Sequence, residues 1–132
     1  MPGGSGSAKR TILVVDDNED VRDTARAVLD VFGYETIGAL SGAAALQVLA
    51  TEGHRIAALF TDIMMPGMNG FELALHARAM YPDLKIILSS GYIGPELAAA
   101  MSSAVYPTVP KPWLPNQLVK TVARVLADDG GS

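Results

Sequence analysis

The chain has 132 residues, about half of them apolar, a formal net charge of −4 and no cysteine. That is the length of one domain with enough apolar side chain for a working core, and a second domain does not fit. The ten Lys and Arg are scattered without a cluster, which argues against a direct nucleic-acid binder, and the missing cysteine excludes disulfides, thiolate metal sites and a cysteine nucleophile.

No apolar run approaches the roughly 20 residues of a membrane span, and the N-terminus lacks the apolar core of a signal peptide. A cytoplasmic protein with no membrane partner is the expectation. Residues 1–8, rich in Gly and Ser, read as a flexible tail or expression scar, residues 9–127 as the folded domain, and residues 128–132 as a flexible C-terminal tail.

From Thr11 onward short apolar runs alternate with helical periods, the signature of βα units and a parallel sheet. Ile12 to Val15 form the first strand. Asn18 caps a first helix with Glu19 and Asp20 in its first turn, Val21, Ala25, Val28, Leu29 and Phe32 on its inner face, and Gly33 as terminator. Tyr34 to Leu40 form the second strand, Ser41 caps an Ala-rich second helix ending near Gly53, and Ala57 to Thr61 form the third strand. Phe71, Ala74 and Leu75 line the third helix, and Ile86 to Leu88 form the fourth strand. Pro95 to Met101 make a short fourth helix and Val105 to Val109 the fifth strand. Leu118, Val122, Val125 and Leu126 face inward from a fifth helix.

Strands one, three and four are continuously apolar, as expected of positions covered on both faces. Strand two mixes Glu35 and Thr36 with apolar residues, and strand five holds Pro107, which cannot donate to a ladder. Strands two and five therefore lie outside.

Asp16 and Asp17 follow the first strand directly, Asp62 follows Ala58 to Thr61, and Lys111 follows the fifth strand. In open parallel sheets the ligand crevice lies outside the carboxyl ends of the strands, so these residues can converge. Two carboxylates about 5 Å apart repel by roughly 3 kcal/mol at an effective dielectric near 20, and Lys111 alone balances three of them poorly. A divalent, oxygen-preferring cation is needed, and Mg²⁺ suits an all-oxygen set.

Four segments, in order and at matching spacing, resemble the receiver domain of bacterial two-component response regulators. They are Ile12 to Asp17, Thr61 to Gly70, Leu88 to Tyr92, and Pro110 to Trp113, and the likeness runs from Thr11 to about Leu126. The resemblance implies a doubly wound, flavodoxin-like α/β fold with five helices and strand order 2-1-3-4-5. That order satisfies the edge constraints, which do not fix it alone.

By the same resemblance Asp62 is the phosphoacceptor, and Asp17 and Asp62 bind Mg²⁺ or Mn²⁺ with the backbone carbonyl of Met64, Asp16 acting through water. Ser90 and Lys111 grip the phosphoryl group. The choice of Ser90 over Ser89 rests on the following Gly91-Tyr92 and on its place 28 residues after Asp62, with Ser89 the weaker alternative. A histidine kinase or histidine phosphotransfer protein is the implied donor, and the implied output is altered partner binding through the fourth helix, fifth strand and fifth helix. Pro112 is expected to hold a cis bond that aims Lys111 over the sheet. Met64 and Tyr92, each two residues beyond a site residue, are expected to flank the phosphoryl group and slow attack by water. Such a domain is a phosphoacceptor with its own phosphorylation and dephosphorylation activity, not a turnover enzyme, and is a monomer or a phosphorylation-dependent homodimer.

Thr108 stands where the family often has a mobile Tyr or Phe. Tyr106, two residues away on the same strand face, is either a substitute signalling residue or a surface edge-strand tyrosine. Leu114 stands where a capping Ser or Asp is common before the last helix, although Pro115 fits its first position. The Ala-rich segment 95–104 reads equally as a partner-binding face or as a weakly packed helix. His54 and His76 are solvated histidines, and Met64, Met65 and Met68 pack rather than bind soft metal. An aspartate-nucleophile phosphatase would need a second Asp where Met64 stands. A phosphate-independent scaffold would not need crowded carboxylates. The chain is either a stand-alone regulator or a receiver cut from a longer kinase or regulator.

Overall fold

The computed structural model describes residues 9–91, 95 and 106–131. In chain order the elements are β1 (Thr11–Val15), α1 (Glu19–Val31), β2 (Glu35–Ala39), α2 (Gly42–Glu52) with a 3₁₀ turn at Gly53–Arg55, β3 (Ile56–Asp62) and α3 (Gly70–Met80). They continue with β4 (Lys85–Ser90), β5 (Thr108–Pro110) and a C-terminal helix (Pro115–Gly131). The five strands form one parallel sheet in the order β2-β1-β3-β4-β5. Apart from Pro95, which is helical, the expected fourth helix falls outside the described residues.

Strand alternation sorts the core into two layers. Leu13, Val15, Leu59, Ile86 and Leu88 pack with Ala45 and Leu49 of α2 and Leu73, Ala74 and Ala77 of α3. Ile12, Val14, Phe60, Ile87 and Val109 pack on the other face with Ala25 and Leu29 of α1 and Leu118, Val122, Val125 and Leu126 of the C-terminal helix. The continuous apolar runs of β1, β3 and β4 thus serve both layers at once.

Helix starts follow their caps. The Asn18 side chain accepts from the Val21 N–H at the start of α1, and Ser41 accepts from Ala44 N–H at α2. At α3 Asn69 and Glu72 form a reciprocal capping box. The C-terminal helix lacks a Ser or Asp cap, and instead the Gln117 side chain accepts the Leu114 N–H at 2.8 Å.

Three expectations are corrected. Leu75 is 68% exposed, because the period that buries Gly70, Leu73, Ala74 and Ala77 turns it outward. Phe32, the C-cap of α1, is likewise exposed. Strand β5 begins at Thr108, since Pro107 lends only its carbonyl to the ladder, accepting from Leu88 N–H at 2.9 Å.

Candidate functional site

The pocket is assembled where β1, β3 and β5 end. Asp16 takes its place one residue past β1, its N–H donating to the Ala39 carbonyl. Its Oδ1 accepts the Asn18 N–H at 2.9 Å, and its backbone carbonyl accepts from Arg22 Nη1 at 2.9 Å. The turn that caps α1 therefore also orients the buried Asp16 carboxylate, while Asp17 beside it faces solvent. Asp62 ends β3 and is 7% exposed.

Carboxylate oxygens of Asp16, Asp17 and Asp62 all lie within 4.8 Å of one another. Lys111 reaches into this cluster from the end of β5, with Nζ 2.8 Å from Asp16 Oδ2 and 3.3 Å from Asp62 Oδ1. Its backbone N–H donates to the Ser90 carbonyl at 3.0 Å, and the Lys111-Pro112 bond is cis, as expected.

The electrostatics are those of a partly compensated acid pocket. Burial pushes the Asp62 carboxyl above the usual carboxylate range, and the charges of Asp16 and Asp17 add to the rise while Lys111 opposes it. Burial pulls the Lys111 ammonium down, but its hydrogen bond to Asp16 and the charges of Asp16 and Asp62 outweigh that and leave its pKa raised. Lys111 is held as a cation. Three carboxylates against one ammonium leave negative charge in excess, and an all-oxygen donor set of this kind fits a hard divalent cation.

The loop after Asp62 is tightly held. The Gly70 N–H donates to the Ile63 carbonyl at 2.9 Å, and a Cβ at Gly70 would lie 2.5 Å from the Asp62 carbonyl oxygen. Gly67 in the same loop has φ +75° with nothing near its Cα hydrogens. Met65 is buried and Met68 packs over Gly42, whereas Met64 is 57% exposed at the rim.

Ser89 and Ser90 are both buried, on opposite faces of β4. Ser90 shares the face of Leu88, and Ser89 that of Ile87. Tyr92 lies outside the described residues. Tyr106 is half-buried against the α2 and α3 layer, with the Arg78 guanidinium 5.5 Å from its ring centroid, so it is a packed residue and not a free surface tyrosine. Thr108 is tied to it through a 3.3 Å bond from Oγ1 to the Tyr106 carbonyl. Neither residue touches the acid cluster through any contact observed. His54 and His76 are exposed.

Sequence reading missed the Asp16 to Asn18 turn, although Asn two residues after Asp is a local signal for it. It also missed a groove of about 540 Å³ beside Lys111, lined by Asp20, Val21 and Thr24 of α1 and by Pro112 and Trp113. Trp113 meets Phe60 edge to face at 6.4 Å there. No residue pattern announces a groove between elements 90 positions apart.

A doubly wound parallel sheet with an acidic pocket and one lysine at its carboxyl rim defines the class. The response regulator receiver domain model matches residues 12–123, and the chain belongs to that family, whose members act in bacterial two-component systems. Over 123 residues the chain is 35% identical to the sensor kinase CckA of Brucella abortus, covering 92% of this chain and 13% of that protein. It is 34% identical over 122 residues to the response regulator receiver protein CpdR of the same organism, covering 89% of this chain and 97% of that one. A receiver domain structure from Methanospirillum hungatei superposes with a TM-score of 0.86 at 26% identity, over 94% of this chain and 98% of that one. The chain spans between 13% and 25% of the length of the first curated relatives it matches. Receiver domains pair with histidine kinases or phosphotransfer proteins and generally bind Mg²⁺ through their acidic pocket. No helix among the described residues is long and apolar enough to cross a membrane.

Proposed function

We propose that the chain is a cytoplasmic phosphorelay switch that accepts a phosphoryl group on Asp62 from a histidine kinase or histidine phosphotransfer protein. The observation that carries this reading is the convergence of three carboxylates within 4.8 Å with Lys111 ion-paired to two of them.

Asp62 is the nucleophile, since its carboxylate ends β3 at the mouth of the pocket. A carboxylate oxygen forms a bond to phosphorus as the bond from phosphorus to the donor's nitrogen or oxygen breaks, the leaving group keeping the bonding pair and taking up a proton. Lys111 answers the charge that accumulates on the phosphoryl oxygens. Asp17 and Asp62, with the Met64 carbonyl, would hold Mg²⁺ or Mn²⁺ and Asp16 would support it through water, the cation supplying charge neutralisation and orientation when bound. Ser90, at the rim of β4, is the hydroxyl that senses the phosphoryl group. Exposed Met64, with Tyr92, screens it from water.

Replacing a singly charged carboxylate by a group near −2 biases a pre-existing equilibrium and alters the surface around β5 and the C-terminal helix, with Thr108 and Tyr106 beside it as candidate signalling residues. Incubation with Mg²⁺ and acetyl phosphate is expected to add the mass of one phosphoryl group to the wild-type chain and nothing to Asp62→Asn. Equal labelling of both chains, or of neither, would overturn the assignment.

A further inference from the structure

Among the described residues the Ser89 hydroxyl is the one buried side-chain polar atom left without a partner. Ser89 is 1% exposed, and its Oγ has no hydrogen-bond partner. A buried hydroxyl without a partner costs about 1–3 kcal/mol, so a serine here is unfavourable unless some state of the protein uses it. Alanine or valine would fill the position at no such cost.

Its neighbours identify that use. Ser89 is in register with Asp62 of β3 on one side and with Val109 of β5 on the other. In-register residues of adjacent strands point to the same face and lie about 4.8 Å apart. Phe60, Ile87 and Val109 pack in the layer under α1 and the C-terminal helix, so alternation directs Asp62, Ser89 and Lys111 to that same face. Ser89 thus shares a sheet face with Asp62, its in-register neighbour on β3, and with Lys111 beyond the end of β5. Ser90 follows on the opposite face of β4.

We propose that Ser89 is a positioning residue for the phosphoacceptor, its hydroxyl donating to the Asp62 carboxylate as that group turns to attack phosphorus. The inference rests on Asp62 being the phosphoacceptor. One Asp62 oxygen already faces Lys111 at 3.3 Å, and a second donor from the β4 side fixes the plane of the carboxylate. A bond made on the way to the transition state and absent before it accelerates the step without tightening the binding of the phosphodonor.

The test compares wild type with Ser89→Ala, Ser89→Thr and Ser89→Val, following initial phosphorylation rates across acetyl phosphate concentrations at saturating Mg²⁺. Thr and Val share a shape and differ by the hydroxyl. Ala and Val are expected to lower the limiting rate about tenfold, the worth of one hydrogen bond, with the half-saturating concentration unchanged within twofold. Thr is expected to restore most of the rate. Thermal unfolding should show Ala and Val no less stable than wild type, since each removes an unpaired polar group. Wild-type labelling with Ala and Val equally fast overturns the Ser89 assignment alone, as does a loss shared by Thr and Val. A wild-type chain that takes no phosphoryl group overturns the Asp62 reading and this one with it.

Discussion

Asp62 is kept in a place where ionisation is costly, and the cost is measurable. Its carboxyl is raised above the ordinary range by burial and by the charges of Asp16 and Asp17. A carboxyl whose folded pKa exceeds its unfolded one favours the fold fully below the unfolded pKa, and that contribution is lost as pH rises through the folded pKa. At pH 7 without divalent cation, Asp62→Asn is therefore expected to melt above wild type. The gap should close as pH falls below about 4, where the wild-type carboxyl is protonated. Calorimetry across that range checks it, and a gap that widens on acidification would contradict the sign. Asp16 and Lys111 do the complementary work: a 2.8 Å ion pair keeps the lysine charged and within reach of Asp62.

At the scale of elements, the site depends on how α3 begins. Asn69 caps α3 and Glu72 returns a bond to the Asn69 N–H, both at 2.9 Å. Asn69→Ala is expected to cost about 1 kcal/mol, read as a lower denaturant midpoint at unchanged m-value. Much of the fold was legible in the sequence because acids and Pro107 mark where strands end and where the edge lies, and because β1, β3 and β4 are apolar without interruption. The strand order came from a family likeness, since edge signals alone leave several orders open. Leu75 was misplaced because Phe71, Ala74 and Leu75 make one helical stripe while Gly70, Leu73, Ala74 and Ala77 make another that shares Ala74, and the close approach of Gly70 to the Asp62 carbonyl goes with the second. The three carboxylates and Lys111 were readable for the same reason as the strands. Which of Ser89 and Ser90 shares the face of Asp62 was not, because the face each side chain takes depends on register with β3.

For the whole molecule, the two layers carry unequal duties. The layer beneath α1 and the C-terminal helix runs up to the acid cluster and the groove at Trp113, so binding in the pocket and folding of that layer are linked. A ligand that binds only the folded chain stabilises it by RT ln(1 + [L]/Kd), about 1.4 kcal/mol at ten times Kd. Mg²⁺ is expected to raise the melting temperature of wild type by a few degrees and that of Asp17→Asn by much less. Equal shifts in the two would remove Asp17 from the cation site.

Gly67 and Gly70 stand three residues apart in the loop that follows Asp62, and their tolerance to change is opposite in kind. At Gly67 the constraint is a single backbone angle in open space, so asparagine, which visits the left-handed region readily, is the natural replacement. At Gly70 the constraint is the Asp62 carbonyl itself, a backbone atom that cannot swing aside. Every route through sequence space that alters position 70 must move the end of β3 first, so the residue most tightly bound to the chemistry of this loop is one that has no chemistry of its own.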